Sequence, residues 1–214
     1  MYRVTKRTLD ILIAGLALVI LSPLLVVIAV AIRLGSRGPA IFRQERAGKD
    51  SRPFTLYKFR TMRPDVDPFG PSPKSGQDPR LTRLGRFLRE HSLDELPQLV
   101  NVVRGDMSLV GPRPLYVSQV AEWNDRQRTR LQIKPGLTGL AQISGRGELT
   151  REEKLELDVR YVEQASFLLD VRILFATATR VFGAGRIYEK RYSETEQTRG
   201  RGPSDDEEDS TRAE

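Results

Sequence analysis

Two adjacent carboxylates between apolar residues are the strongest chemical signal in this chain. Asp94 and Glu95 lie between Leu93 and Leu96, and Pro97 restricts the backbone that follows them. Acidic side chains in such a setting often bind a metal ion or take part in catalysis. A solvated pair on an ordinary charged surface is the alternative that these residues alone leave open.

The sequence around the pair predicts two short helices. Apolar residues at 81, 84, 87 and 88 follow helical spacing, and Arg89 lies near the end of this pattern. Ser92 and Glu95 then have the spacing of a capping box, which predicts a second helix beginning there. Because the N-terminal end of a helix stabilises anions, we expect Asp94 to be ionised and a phosphate to bind nearby. Adjacent residues do not share a helix face, so the two carboxylates are expected to have separate roles.

Glycines and cations that could bind phosphate groups lie further along the chain. Segments 111–114 and 134–147 are rich in glycine and include Arg113, Lys134 and Arg146. Glycines at this density can leave backbone N–H groups open to a ligand. A glycine-rich turn without a ligand is the more common case, so this signal is weak by itself.

A β-hairpin and a long loop are predicted before the carboxylates. Alternating apolar residues over 39–62, with a turn at 48–50, predict a hairpin that ends close to Lys58 and Arg60. Segment 63–80 is rich in proline and glycine, so it is either a cover over the site or a flexible linker.

An uncharged apolar run over 11–32 would position this chemistry relative to a membrane. At about 1.5 Å per residue the run is long enough to cross a bilayer core of about 30 Å. Basic residues lie on both sides of it, so the positive-inside rule favours no orientation. Pro23 removes one backbone hydrogen bond, and the Ser22 hydroxyl can satisfy the freed carbonyl. A bent re-entrant hairpin with both ends on one side fits; a kinked single span and a cleaved signal peptide are the alternatives.

The composition predicts one globular domain with a basic surface and an acidic tail. The 214 residues carry a formal net charge of +7, and acidic residues are concentrated in segment 193–214. The rest of the chain is therefore more basic than the net charge shows, which favours phosphates, anionic lipids or nucleic acid as partners. The chain has no cysteine, which excludes disulfides and thiolate metal sites. The tail has too few apolar residues to form a core and is expected to be disordered.

Two more helices are predicted towards the C-terminus. Thr150 and Glu153 have capping-box spacing, which predicts a helix start. Segment 167–182 is largely apolar but contains Asp170, so it is either core or, as we favour, an interfacial helix at the membrane. His91 and Trp123 are each the single residue of their type, and we expect packing or surface roles for both.

Six motifs in order give the chain a family resemblance. They are Lys6-Arg7 before the apolar run with its Ser22-Pro23 pair, and the segments 58–62, 78–80, 92–98, 111–114 and 134–147. The last five read KFRTM, DPR, SLDELPQ, GPRP and KPGLTGLAQISGRG. Together they resemble the bacterial sugar transferases, the monotopic phosphoglycosyl transferases, over residues 3–188. Six motifs in one order are a specific signal, whereas any one of them alone is weak.

The resemblance implies transfer of a sugar 1-phosphate from a nucleotide sugar, usually a UDP-sugar, to a polyprenyl (undecaprenyl) phosphate. In that family the aspartate of the Asp-Glu pair attacks the sugar-linked phosphate, so Asp94 is the expected nucleophile of a phosphosugar-aspartyl intermediate. The implied cofactor is Mg²⁺, with Asp94 as its expected ligand and with Glu95 positioning groups or balancing charge. The product would begin an exopolysaccharide, O-antigen, capsule or glycoprotein glycan.

The cations of the matched motifs are the expected binding groups for the substrates. Arg89 is the first candidate for a phosphate clamp, because a planar guanidinium can bind phosphate oxygens bidentately. Arginines near carboxylates also form ordinary ion pairs, which is the alternative for each of them. Further phosphate-binding residues are expected to be Arg113, Lys58 and Arg60, and the expected nucleotide-binding residues are Lys134, Gly136, Gly139 and Arg146.

The resemblance also implies a mainly α fold with a small β element. Its parts would be a re-entrant membrane helix hairpin over 1–36, a catalytic domain over 37–192 with amphipathic interfacial helices, and the acidic tail. The expected location is the cytoplasmic face of the bacterial inner membrane. Membrane lipid and the two substrates are the expected partners, without nucleic acid, and a homo-oligomer or downstream glycosyltransferases could join them.

Two other classes of function stay open at this point. One is a catalytically idle membrane scaffold of a glycan assembly complex, which would tolerate replacement of Asp94. The other is a basic module that binds anionic lipid or nucleic acid, although nucleic-acid binding would favour interleaved aromatics that the chain lacks. No residue pattern identifies the sugar.

Overall fold

The structure, a computed structural model, describes residues 2–67, 73, 77–145 and 149–182. Within these residues, helices predominate and the strands form two small sheets, which confirms the mainly α prediction. The tail at 193–214 lies outside the described residues, and the domain boundaries at 36 and 192 stay predictions.

The predicted hairpin is confirmed. Strands β1 (Ile41–Ala47) and β2 (Pro53–Phe59) are antiparallel, with Ile41 opposite Phe59 and a 3₁₀ turn between the strands. The second sheet is a short parallel pair, β3 (Ser108–Val110) and β4 (Gly136–Thr138). The ends of the loop predicted at 63–80 are joined, because the Arg63 N–H donates to the Arg80 carbonyl at 2.8 Å.

Short helices surround these strands, and longer helices lie at the two ends of the described chain. They are α1 (Tyr2–Gly35), α2 (Arg83–Glu90), α3 (Gln98–Arg104), α4 (Asp125–Arg128), α5 (Leu140–Ser144), α6 (Arg151–Gln164) and α7 (Phe167–Phe182). The predicted capping box begins α6, because the Thr150 hydroxyl accepts from the Glu153 N–H and the Glu153 carboxylate accepts from the Thr150 N–H. Helix α7 buries Asp170 and Ile173 on one face and exposes Leu168 and Phe175 on the other, so the predicted interfacial role is not decided.

Helix α1 continues through Pro23 without a break. The Ser22 hydroxyl donates to the Val19 carbonyl at 2.8 Å, and this carbonyl is the one that the missing N–H of Pro23 leaves without its usual donor. The predicted use of Ser22 is confirmed, and it explains why the helix need not break. The hairpin is not confirmed, because one continuous helix replaces two antiparallel arms.

One face of α1 packs against the globular part along most of its length. Ala14 belongs to the main core cluster with Leu56 and Val102, whereas Ile28 and Ile32 belong to a second cluster under α2. The opposite face is apolar and exposed. In the described residues, α1 is the one helix long and apolar enough to cross a membrane.

Both ends of α1 contact the same globular part. Near its beginning, Arg7 donates to the last carbonyls of α3, and Asp10 accepts from the Leu109 N–H of β3 at 3.1 Å. Just beyond its end, the carbonyls of Ser36 and Arg37 accept from a side chain that follows β2. Helix α1 is therefore a layer of the fold and not a detached anchor.

Candidate active site

The Asp94–Glu95 pair lies on a 3₁₀ turn between α2 and α3. Ser92 adopts the left-handed conformation with φ 56° and makes no side-chain capping bond, so the predicted capping box is wrong. Helix α3 begins at Gln98, after Pro97. The turn points Asp94 inward, and 7% of its surface is exposed.

Glu95 is the charge partner of two predicted phosphate-binding residues. One of its carboxylate oxygens lies 2.9 Å from the Lys58 ammonium and 2.9 Å from an Arg113 guanidinium nitrogen. Two charged donors are stronger partners than the Ser92 N–H, which explains why the capping box does not form. Burial alone raises the pKa of Glu95, but Lys58 and Arg113 together outweigh burial and keep that pKa well below its usual range. Glu95 is therefore ionised, and its carboxylate is already paired with two cations.

Asp94 has different surroundings. Within the described residues, its carboxylate makes no hydrogen bond or ion pair. Burial raises the pKa of Asp94, and this outweighs the lowering by the nearby charge of Lys58. The expected contact of Asp94 with a helix start is absent, because no N–H group within the described residues contacts the carboxylate, and burial raises its pKa; its ionisation stays a prediction. The two carboxylates do have separate environments, as the sequence predicted.

Arg89 approaches the pair from the end of α2. Its Nε donates to the hydroxyl of the buried Thr61 at 2.9 Å, and its charge lowers the pKa values of both Asp94 and Asp78. In the part of the chain that the structure describes, the Arg89 guanidinium forms no ion pair. Of the four predicted phosphate-binding cations, Arg89 thus retains most of its donors for a ligand.

Arg60 lies at a different place. Its guanidinium donates to the carbonyls of Ser36 and Arg37 and to the Ser36 hydroxyl, just past the end of α1. These contacts attach the end of α1 to the end of β2. A cation near the end of a helix can satisfy carbonyls that lack an intrahelical donor. The structure gives Arg60 a structural role, and its predicted phosphate contact stays a prediction.

The predicted nucleotide-binding group is not assembled next to Asp94. Lys134 lies beside Arg7 at Gly105, which is the opposite end of α3 from the carboxylate turn. Burial and then the charge of Arg7 lower the pKa of Lys134. Arg146 lies outside the described residues.

The glycines of this region are explained by packing. A side chain at Gly136 would come within 2.1 Å of the Gly111 backbone, and one at Gly139 within 2.2 Å of the Gly111 carbonyl oxygen. The Gly111 N–H donates to Thr138 and the Gly136 N–H to Pro112, so the expectation of open N–H groups is wrong for both. Close approach of β3 and β4 requires these glycines, and their nucleotide role stays a prediction.

Comparison with known proteins shows which family the chain matches. The sequence pattern of the family described as Bacterial sugar transferase matches residues 1–184. This chain belongs to that family. It is therefore a sugar transferase, and the matched region includes the whole carboxylate site.

Named relatives extend along most of the transferase. It is 41% identical over 199 residues to the Uncharacterized sugar transferase EpsL of Bacillus subtilis (strain 168), covering 93% of this chain and 98% of that protein. It is 43% identical over 188 residues to the UDP-glucose:undecaprenyl-phosphate glucose-1-phosphate transferase of Escherichia coli (strain K12), covering 84% of this chain but 40% of that one. A protein of the same name from Caulobacter vibrioides (strain ATCC 19089 / CIP 103742 / CB 15) is 43% identical over 198 residues, covering 86% and 72%.

Asn101 is a site-supporting residue of the transferase that the sequence reading missed. It is fully buried, its amide donates to the Thr55 carbonyl at 2.7 Å, and its side-chain oxygen accepts from the Tyr57 N–H at 3.1 Å. These bonds attach α3 to β2, the strand that carries Lys58. A single polar residue within the apolar run 99–103 was the available signal.

Arg46 is a second residue that was missed. Its guanidinium stacks over the Tyr116 ring, 3.7 Å from the ring centre, and burial lowers its pKa. The charges of Arg113 and Glu95 also affect the pKa of Arg46, which places it at the edge of the same cluster. Alternation in β1 gave no signal that would distinguish it from Arg43.

The side chains of the site suit magnesium, which takes part of its ligands from substrate phosphates and water, better than a metal ion bound only by protein side chains. Among the described residues, no group of three or more His, Cys, Asp or Glu could hold a metal ion. Magnesium is usually bound by one or two carboxylates together with substrate phosphates and water. The unoccupied oxygens of Asp94 suit such a site, whereas Glu95 is already occupied by two cations.

Proposed function

We propose that this transferase moves a sugar 1-phosphate from a UDP-sugar to undecaprenyl phosphate, with Asp94 as the nucleophile. The observation that carries the proposal is a buried carboxylate that makes no hydrogen bond within the described residues, beside three cations, Lys58, Arg89 and Arg113. Such a group is available to react, and its surroundings suit a substrate rich in negative charge. The names of the relatives support this donor and this acceptor.

The first step forms a covalent intermediate. One Asp94 oxygen forms a bond to the phosphorus that bears the sugar, and the bond from this phosphorus to the bridging oxygen of the diphosphate breaks. UMP leaves with the bonding electron pair, and the sugar phosphate stays on Asp94. Only the ionised carboxylate can attack, so the charges of Lys58, Arg89 and Arg113 favour the reactive form against the effect of burial.

The second step regenerates the enzyme. An oxygen of undecaprenyl phosphate attacks the same phosphorus, the bond to Asp94 breaks, and the products are the free carboxylate and a sugar-diphosphate lipid. Arg89 would bind phosphate oxygens in both steps; its hydrogen bond to Thr61, which leaves other donors open, supports this role. Mg²⁺ bound at Asp94 and the phosphates would supply neutralisation of oxygen charge.

The contacts of α1 support a one-sided membrane arrangement. A helix that crosses the bilayer places its two ends on opposite sides, yet one globular part contacts α1 at Arg7 and Asp10 and again at Ser36. We therefore propose that α1 enters one leaflet with its exposed apolar face and does not cross. This places Asp94 near the depth of the lipid phosphate, at the cytoplasmic face of the inner membrane, where nucleotide sugars are available.

Nucleotide release by the nanodisc-embedded protein tests the reaction. With Mg²⁺, undecaprenyl phosphate and a panel of UDP-sugars, we expect sugar-selective UMP release that Asp94→Asn reduces by a factor on the order of 10³ or more. Asp125→Asn is the matched control, because this aspartate is exposed at the start of α4. No release with any sugar, or full release by Asp94→Asn, would contradict the proposal.

The intermediate and the topology are tested separately. Without the acceptor lipid, a radiolabelled sugar phosphate should remain on the wild-type protein in about equimolar amount and be absent from Asp94→Asn. Reporter tags at the two termini should both be cytoplasmic; reporters on opposite sides would rule out the one-sided arrangement.

A further inference from the structure

Arg113 reaches Glu95 from a backbone segment that is held on several sides. Pro112 and Pro114 lie on either side of it and restrict the chain. The Pro112 carbonyl accepts from the Gly136 N–H at 2.8 Å, which attaches the segment to β4. The Arg113 side chain itself is 46% exposed, so its own surroundings do little to fix its direction.

A buried ion pair lies directly behind this segment. Arg130 and Asp158 are joined by a 2.5 Å contact between a guanidinium nitrogen and a carboxylate oxygen, and their side chains are 2% and 3% exposed. The same Arg130 nitrogen donates to the Arg113 carbonyl at 2.5 Å. The guanidinium also lies over the Trp123 ring, 4.7 Å from its centre.

Asp158 is the charge partner that holds Arg130 in this contact. Burial raises the pKa of Asp158, and the charge of Arg130 and its hydrogen bond oppose that rise. The pair therefore contacts Arg113 at its carbonyl, through the Arg130 guanidinium. One oxygen of Asp158 and the Nε of Arg130 have no hydrogen-bond partner within the described residues, so the burial of this pair is not fully compensated.

We propose that the Arg130–Asp158 pair positions Arg113, and through it Glu95, for the transfer reaction. The inference rests on the proposed function. Burial of two charges is weak evidence for stability, because well-packed apolar residues are often at least as stable. The specific effect of this pair is that it fixes the backbone of an otherwise exposed arginine that neutralises the acidic neighbour of Asp94.

The test removes both charges together. A variant that removes only one partner leaves an uncompensated buried charge and is not expected to fold. The double variant R130M/D158L leaves no unpaired charge and is expected to fold, as checked by thermal unfolding in nanodiscs. Arg126→Gln is the matched control, because Arg126 joins α4 to α6 by exposed contacts with Glu156 and Glu163 and does not contact Arg113.

The expected result is a loss of UMP release on the order of 10- to 100-fold in R130M/D158L, as for other misplaced catalytic groups. The loss of UMP release should affect kcat and KM in the same proportions as in Arg113→Gln. Adding Arg113→Gln to the double variant should reduce UMP release little further. Arg126→Gln should retain wild-type activity. Wild-type activity in the folded double variant would overturn the positioning role. So would a triple variant whose fold-loss equals the product of the losses in R130M/D158L and Arg113→Gln.

An experimental structure of R130M/D158L gives a readout that does not need activity. Arg113 should no longer lie within ion-pair distance of Glu95, and an unchanged contact would overturn the proposal even if the wild type proved inactive. Failure of the proposed function is recognised separately, by absence of UMP release from the wild type with every UDP-sugar.

Discussion

Two aspartates in this protein are equally buried and have opposite surroundings. Asp94 is 7% exposed and Asp170 is 6% exposed. Asp170 accepts hydrogen bonds from Lys6 at 2.7 Å, Tyr2 at 2.8 Å and Tyr161 at 2.5 Å. Asp94 makes no such bond within the described residues.

The difference separates a carboxylate that joins helices from the proposed nucleophile. The partners of Asp170 come from α1 and α6 while Asp170 itself lies on α7, so this carboxylate connects three helices. A buried charge without donors costs free energy, and that cost is acceptable only where a substrate or metal supplies the partners. Hydrogen bonds are thus complete at the carboxylate where α1 is attached and incomplete at the proposed nucleophile.

The largest expected contrast is in stability. Asp170→Asn weakens hydrogen bonds to a charged group and should lower the free energy of unfolding by about 2 kcal/mol, or roughly 4–8 °C in Tm. The folded pKa of Asp94 is raised, so stability falls as pH rises from the unfolded pKa through the folded one. Asp94→Asn should therefore raise Tm at neutral pH while it abolishes UMP release.

Thermal unfolding of both variants in the same nanodiscs, with Asp125→Asn as the exposed control, measures this contrast. A destabilised Asp94→Asn would show that Asp94 has partners in the membrane-bound protein and would remove the distinction between the two aspartates.

The pH dependence of activity tests the electrostatics of Asp94. The charge of Glu95 raises the pKa of Asp94, and the charge of Arg113 lowers it. Ionised Asp94 is the proposed nucleophile, so kcat/KM should fall on the acid side. Glu95→Gln should move this acid limb to lower pH and Arg113→Gln should move it to higher pH, whatever their effects on the maximum rate. An acid limb at the same pH in the wild type and both variants would mean that another group controls the pH profile.

The smallest effect is expected inside α1. Ser22→Ala removes the donor that replaces the missing N–H of Pro23 and should cost about 0.6 kcal/mol. Thr8→Ala is the matched control, because Thr8 donates to the Val4 carbonyl in a turn that lacks proline and should change Tm very little. A Ser22→Ala variant as stable as Thr8→Ala would show that another group satisfies Val19.

The local elements of the fold could be predicted because their signals lie within a few residues. The β-hairpin followed from alternation and a turn, the α6 start from Thr150 and Glu153, and the use of Ser22 from its place beside Pro23. The capping box at Ser92 had the same kind of signal and was wrong. There, two cations distant in sequence compete for Glu95 more strongly than a nearby N–H group.

The sequence by itself determined the family, the carboxylate pair and the apolar helix, since each depends on residue type and short spacing. Only the tertiary structure decided which cation meets which carboxylate: Arg60 and Lys134 lie away from the site, whereas Lys58 and Arg113 meet at Glu95. The partners of Glu95 are 37 and 18 residues away along the chain. Contacts over such separations depend on how β2 and α3 pack, which no local pattern encodes.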